Sequence, residues 1–144
     1  MDEGRRIPLN ILLAEDDRNF GFILKGELEQ EHYCVDLVPN GVEAVLSFIQ
    51  KPYDFVLLDL RMPRLSGIDA LRIIKNLNPH MPAIAFSGNA GSIEMEETLK
   101  CGAVKCFSKP FAIAELIGDL RSYFDQTNLP IPDQCKDDHG PNRK

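Results

Sequence analysis

The stretch DFVLLDLRMPRLSGID, residues 54–69, contains a strand, an acid at the strand's end and the start of a helix. Residues 55–58 form a continuous apolar run of strand length, which is typical of a strand covered on both faces. Ser66 is followed three residues later by Asp69 and then by an apolar periodic segment, which marks a helix start. The stretch therefore predicts a buried strand that delivers Asp59 to a loop.

The same alternation of strand and helix repeats five times along the chain, which predicts a parallel sheet with crossover helices. The predicted strands are residues 9–14, 33–38, 55–58, 83–86 and 104–107. The second and fifth of these carry polar residues between apolar ones, as edge strands do, whereas the other three are continuous. We therefore expect an α/β fold with five helices and the strand order 2-1-3-4-5, the flavodoxin-like doubly wound sheet.

The helix signals lie between these strands. Helices are predicted at residues 18–30, after Asn40, after Ser66, at residues 92–100, and near the end of the periodic region, where Leu116, Ile117, Leu120 and Phe124 share a face. In the first helix, the spacing places four apolar residues on one buried face: Phe20, Ile23, Leu24 and Leu28.

The length of 144 residues suits one domain. We expect an extension at residues 1–8, the domain at 9–124 and a disordered tail at 125–144, where Pro, Asp and Asn accumulate without periodicity.

A net charge of -6 argues against direct nucleic-acid binding. The sequence has no membrane-spanning apolar run and no secretory signal, so a cytoplasmic location is expected. The four cysteines lack a Cys-x-x-Cys pair, which argues against a zinc site, and reduced thiols are expected.

Polar residues follow four of the predicted strands. In a sheet of this order, ligands bind at the carboxyl ends of the strands, in the crevice between the first and third. The residues delivered there are Glu15, Asp16 and Asp17, then Asp59, Ser87 and Lys109. Clustered carboxylates repel each other unless a cation neutralises them, and hard oxygen ligands suit Mg²⁺. We expect Asp16 and Asp59 to bind Mg²⁺, with Glu15 reaching it through water and Asp17 capping a helix.

Lys109 and Ser87 complete this set. An ammonium can pair with a carboxylate at rest and with a phosphoryl oxygen after transfer, and a hydroxyl can donate to another oxygen. A carboxylate nucleophile, a metal, a cation and a hydroxyl are the groups that phosphoryl transfer to an aspartate requires.

Four stretches, in this order and spacing, resemble the receiver domain of bacterial response regulators over residues 9–124: ILLAEDD (11–17), DFVLLDLRMPRLSGID (54–69), PAIAFSG (82–88) and GAVKCFSKPF (102–111). The resemblance implies that Asp59 accepts a phosphoryl group from a phosphohistidine. It implies that Asp16, Asp59 and the backbone carbonyl of Arg61 bind Mg²⁺, and that Glu15 fills the other acidic position. Ser87 and Lys109 match the positions that bind the phosphoryl group.

The resemblance also implies roles for five further positions. Arg61 and Asn89 lie where the family adjusts the access of water to the phosphoaspartate. Pro110 and Gly67 match structural positions, and family members usually have a cis peptide bond before the proline. Cys106 stands where the family commonly has a Tyr or Phe that turns inward on activation, so the aromatic form of that switch is not expected here.

The leading hypothesis is a stand-alone, chemotaxis-regulator-like receiver, a signalling phosphoacceptor that assists its own phosphotransfer and dephosphorylation without being an ordinary enzyme. Its expected partners are a sensor histidine kinase or a histidine phosphotransfer protein, and a downstream effector that reads the fourth helix, fifth strand and fifth helix. A phosphorylation-dependent homodimer stays open. Two alternatives are an interaction module that works without phosphate and a haloacid-dehalogenase-like phosphatase. The phosphatase is disfavoured because Arg61 occupies the position where that chemistry needs a second acid.

Overall fold

The computed structural model describes residues 9–88 and 91–126 of the chain. Within them, strands and helices alternate from β1 to α5. The strands are β1 (Asn10–Ala14), β2 (Cys34–Val38), β3 (Phe55–Asp59), β4 (Ala83–Ser87) and β5 (Lys105–Ser108). The helices are α1 (Arg18–Gln30), α2 (Gly41–Gln50), α3 (Gly67–Leu77), α4 (Ser92–Lys100) and α5 (Ile113–Gln126).

The five strands form one parallel sheet in the order β2-β1-β3-β4-β5. β1, β3 and β4 are buried along their whole length, whereas β2 and β5 at the edges are partly exposed. The predicted fold class and strand order are therefore confirmed, and the contrast between continuous and interrupted apolar runs identified the edge strands correctly.

The sheet separates two apolar layers. On one face, α1 and α5 pack Leu24, Leu28, Leu116, Leu120 and Phe124 against the strands. On the other face, α2 and α3 pack Ala44, Ala70, Leu71 and Ile74. Helices cover both faces of the sheet, so the crevice available to a ligand lies beyond the carboxyl ends of the central strands.

Three helices begin at side-chain caps that the sequence indicated. Asp17 Oδ1 accepts hydrogen bonds from the backbone N–H groups of Asn19 at 3.0 Å and Phe20 at 3.2 Å. Asn40 caps α2 through the N–H of Glu43, and Ser66 caps α3 through the N–H of Asp69. Each cap satisfies donors that the helix leaves free, and thereby fixes where the chain turns after a strand.

Three expectations need correction. Ile23 is 57% exposed, because the buried stripe of α1 runs through Gly21, Leu24 and Leu28 and leaves Ile23 beside it. α5 continues through Gln126, two residues beyond the predicted boundary. Cys101 and Cys106 carry free thiols, whereas Cys34 is disulfide-bonded, so the expectation of four reduced thiols is wrong for Cys34.

The extension at residues 1–8 and most of the predicted tail lie outside the described residues. No helix within residues 9–88 and 91–126 is long and apolar enough to cross a membrane.

Candidate functional site

Three carboxylates meet at the carboxyl ends of β1 and β3. Glu15 is 2% exposed and Asp59 4% exposed, while Asp16 faces solvent. One oxygen from each of the three lies within 4.8 Å of the others. Three hard oxygen donors without a histidine or cysteine fit Mg²⁺, and the exposed Asp16 leaves one side of the cluster open to water.

Lys109 brings a cation into the same cluster from the loop after β5. Its Nζ atom lies 2.9 Å from Glu15 Oε1 and 3.4 Å from Asp59 Oδ2, and its side chain is largely buried. One ammonium cannot balance three carboxylates, so the site keeps a net negative charge that favours a divalent cation.

Burial acts in opposite directions on the pKa values of Glu15 and Lys109, although the net shift of both is upward. Burial raises the pKa of Glu15 to about 7, against the lowering effect of hydrogen bonds from Lys109 and from the Asp17 N–H, and Asp59 adds to the rise. Burial alone would lower the pKa of Lys109, but the hydrogen bond to Glu15 and the Asp59 charge outweigh it, so the pKa is raised. Lys109 therefore stays charged at neutral pH.

The loop after β3 wraps closely around Asp59. Its Oδ1 atom accepts the Arg61 N–H at 3.1 Å, and the Gly67 N–H donates to the Leu60 carbonyl at 3.0 Å. A Cβ atom on Gly67 would lie 2.2 Å from the Asp59 carbonyl oxygen. Only glycine allows the start of α3 to come this near, which gives Gly67 its structural role.

The ends of β4 and β5 are joined beside the acids. Ser87 is fully buried as the last residue of β4, and its carbonyl accepts the Lys109 N–H at 2.8 Å. The Lys109–Pro110 peptide bond is cis, as the resemblance implied. The chain thus carries Ser87 and Lys109 to the edge of the sheet that also holds Asp59.

Two further predicted positions lie toward α4. Cys106 is buried in a small cluster with Leu60 and Ala85, and burial, helped by the Glu94 charge, raises the pKa of its thiol. The Arg61 guanidinium lies 3.2 Å from Glu94 on α4. Asn89 lies outside the described residues.

The sequence reasoning missed two contacts of the site. Phe20 was assigned to the core, yet its ring lies 4.6 Å from Lys109 Nζ. Glu94 was not singled out, although it is the partner of Arg61. An aromatic residue one turn after the acidic triplet was a usable signal for the first contact, whereas the second depends on where α4 lies and has no local signal.

Comparison with known proteins agrees with this geometry. The model of the response regulator receiver domain family matches residues 11–121. Response regulator MprA of Mycobacterium sp. (strain KMS) is 31% identical over 131 residues, which cover 91% of this chain and 56% of that protein. The chain spans about half the length of the curated relatives it matches.

Solved receiver structures are similar as well. The receiver domain of sensor histidine kinase PA1611 from Pseudomonas aeruginosa PAO1, described with a magnesium ion coordinated in the active site cleft, is 33% identical, with a TM-score of 0.75 over 82% of this chain and 98% of that one. The CheX-CheY-BeF3-Mg+2 complex from Borrelia burgdorferi gives 26% identity and a TM-score of 0.78, covering 82% and 90%. This chain therefore belongs to the response regulator receiver domain family of two-component signalling.

Proposed function

We propose that Asp59 is a phosphoacceptor that takes a phosphoryl group from a phosphohistidine with the help of Mg²⁺. The observation that carries the proposal is the buried Asp59 carboxylate, which lies with Glu15 and Asp16 in one oxygen cluster and has the Lys109 ammonium 3.4 Å away. Receiver domains as a family act as signalling phosphoacceptors that interact with histidine kinases and effectors.

Each residue has a part in this reaction. An Asp59 carboxylate oxygen forms the new bond to phosphorus as the bond from phosphorus to the histidine nitrogen breaks, which leaves an acyl phosphate. Asp16, Asp59 and the Arg61 carbonyl, with Glu15 behind them, would hold Mg²⁺, which would supply charge neutralisation for the phosphoryl oxygens. Lys109 pairs with one phosphoryl oxygen, and the Ser87 hydroxyl donates to another.

The signal is relayed by a shift between two conformations whose populations differ before and after phosphorylation. We propose that the surface formed by α4, β5 and α5 changes its affinity for an effector protein or for a second copy of the chain. Cys106 occupies the usual aromatic switch position and fills less volume, so the relay depends on Ser87 and α4.

The phosphoryl donor is a sensor histidine kinase or a histidine phosphotransfer protein in the cytoplasm. The receiver unit runs from residue 9 to the end of α5 at Gln126.

The proposal is tested by incubating the protein with acetyl phosphate and Mg²⁺ and measuring the intact mass. Wild type is expected to gain the mass of one phosphoryl group, and Asp59→Asn to gain none. Asp16→Asn is expected to need far more Mg²⁺, because one ligand is weakened. Asp119→Asn, an acid-to-amide change on α5, is the matched control and should behave as wild type. Equal labelling of Asp59→Asn and wild type would refute the assignment of Asp59, whereas no labelling of wild type would favour an interaction module that works without phosphate.

A further inference from the structure

The position of Phe20 is fixed by the start of α1. Its backbone N–H is one of the two donors capped by Asp17, so the residue enters the helix in a defined place directly after the acidic triplet. Its ring packs edge-on against Phe86, with centroids 6.0 Å apart, and against Phe111 at 5.8 Å. Such edge-to-face pairs restrict the ring's orientation.

Phe20 belongs to a cluster of four aromatic rings near the carboxyl ends of β4 and β5, formed with Phe86, Phe107 and Phe111. Phe86 and Phe111 lie 5.7 Å apart, and Phe111 stacks on Phe107 at 5.0 Å. Phe86 is fully buried. Phe20 contacts Phe86 on β4 and Phe111 in the loop after β5, and these two rings are themselves packed together, so Phe20 has little freedom to move away from them.

The Lys109 ammonium lies over the Phe20 ring. The Nζ atom lies 4.6 Å from the Phe20 centroid and 5.5 Å from the Phe86 centroid, within the range of cation–π attraction. The same ammonium reaches Glu15 at 2.9 Å. Lys109 thus contacts both a carboxylate and an aromatic ring.

We propose that Phe20 is a positioning residue that keeps the Lys109 ammonium beside Asp59 for phosphoryl transfer, an inference that rests on the proposed function. The two supports of Lys109 respond differently when the site is loaded. A bound cation would compete with Lys109 for the carboxylates, whereas a neutral ring keeps its attraction for the ammonium. Phe20 therefore holds Lys109 in place at the moment when a phosphoryl oxygen arrives.

Substitution at Phe20 separates the ring's electronic effect from its volume. Phe20→Leu keeps an apolar body and removes the π face, while Phe20→Trp and Phe20→Tyr keep the face. Phe22→Leu is the matched control, since Phe22 lies two residues away on α1 and is 61% exposed. Circular dichroism and thermal unfolding check that every variant folds.

The first readout is made without phosphate. In wild type, the Lys109 Hε protons should be shifted upfield by the ring in an NMR spectrum. The upfield shift should fall markedly in Phe20→Leu, where only the more distant Phe86 ring remains, and persist in Phe20→Tyr and Phe22→Leu. An unshifted Lys109 in wild type, or an unchanged shift in Phe20→Leu, overturns the proposal whatever the protein's function.

The second readout is the rate of phosphorylation by acetyl phosphate with saturating Mg²⁺, resolved into apparent affinity and maximal rate. Phe20→Leu should lower the maximal rate by about three- to tenfold with little change in apparent affinity, and Phe20→Tyr and Phe20→Trp should restore it. An unchanged rate in Phe20→Leu, or equally slow Leu and Trp variants, contradicts the proposal. Failure of wild type itself to be phosphorylated identifies failure of the proposed function instead.

Discussion

Helices α5 and α4 flank the β5 side of the sheet and are attached to it by different means. α5 buries Leu116, Leu120 and Phe124 in the core. On α4, by contrast, Ile93 is 78% exposed and Leu99 is also exposed. A helix anchored by several buried apolar side chains resists local charge changes, whereas a helix with exposed apolar residues and ion pairs to neighbouring segments can respond to them.

The polar contacts of α4 lead back to the site. Glu94 pairs with Arg61, two residues after Asp59, and Glu97 lies 2.8 Å from Arg72 on α3. Within the described residues, α4 therefore forms ion pairs with Arg61, close to the proposed phosphoacceptor, and with Arg72 on α3. This contrast suggests that new charge at Asp59 changes α4 before it changes α5.

The largest expected effect is on stability and tests the contrast itself. Leu120→Ala should lower the free energy of unfolding by about 2–5 kcal/mol, because it removes fully buried contacts. Ile93→Ala should change it by no more than about 0.5 kcal/mol. Urea unfolding measures both, and an Ile93→Ala cost as large as that of Leu120→Ala would remove the basis of the comparison.

The next effect concerns Glu15, which is as buried as the core residues of α5 but can carry a charge. The pKa of Glu15 is about 7 in the folded protein against an ordinary 4.5, so the folded state binds a proton that the unfolded state has released. In metal-free buffer, the free energy of unfolding should fall by up to about 3 kcal/mol as the pH rises from 4.5 to 7.

Glu15→Gln is the control for this pH dependence. It removes the titrating group while keeping a similar shape, so the difference between wild type and variant should grow across that pH interval. The raised pKa of Lys109 changes the free energy of unfolding only at alkaline pH. The stabilisation that it gives is complete below pH 10.5, the ordinary pKa of the group, and is lost as the pH rises above that value. Parallel pH profiles for wild type and Glu15→Gln would show that burial of Glu15 is not the cause.

The smallest expected effect tests the link from the site to α4. Arg61→Ala should speed loss of phosphate from Asp59 by about two- to fivefold, because it removes a long side chain beside the site and its exposed ion pair. Glu94→Gln should slow the loss slightly, since it frees Arg61 to lie over the phosphoryl group. The decay of phosphorylated protein, followed by mass spectrometry, measures both. Equal half-lives for all three proteins would refute the link.

Local signals were sufficient for the fold. Continuous apolar runs identified the central strands, and Asp17, Asn40 and Ser66 marked helix starts that the structure reproduces. The grouping of Glu15, Asp16 and Asp59 followed from the strand order, because parallel strands end at one edge. These features depend on short stretches of chain plus one topological rule.

Other features depend on tertiary packing and could not be predicted in this way. Ile23 has the right spacing for a buried face, but the rotation of α1 on the sheet leaves it in solvent. The contact between Phe20 and Lys109 joins residues far apart in sequence, and the pair of Arg61 with Glu94 requires the final position of α4. Periodicity carries no information about either distance.

The most direct test of the central claim is an NMR titration with beryllofluoride, a phosphate mimic, with and without Mg²⁺. Wild type should bind it only when Mg²⁺ is present, with backbone shifts at Asp59 and Ser87 and along α4, and much smaller shifts in α5. Asp59→Asn should show none of these. Identical shifts in Asp59→Asn, or binding that ignores Mg²⁺, would contradict a metal-assisted phosphoacceptor at Asp59.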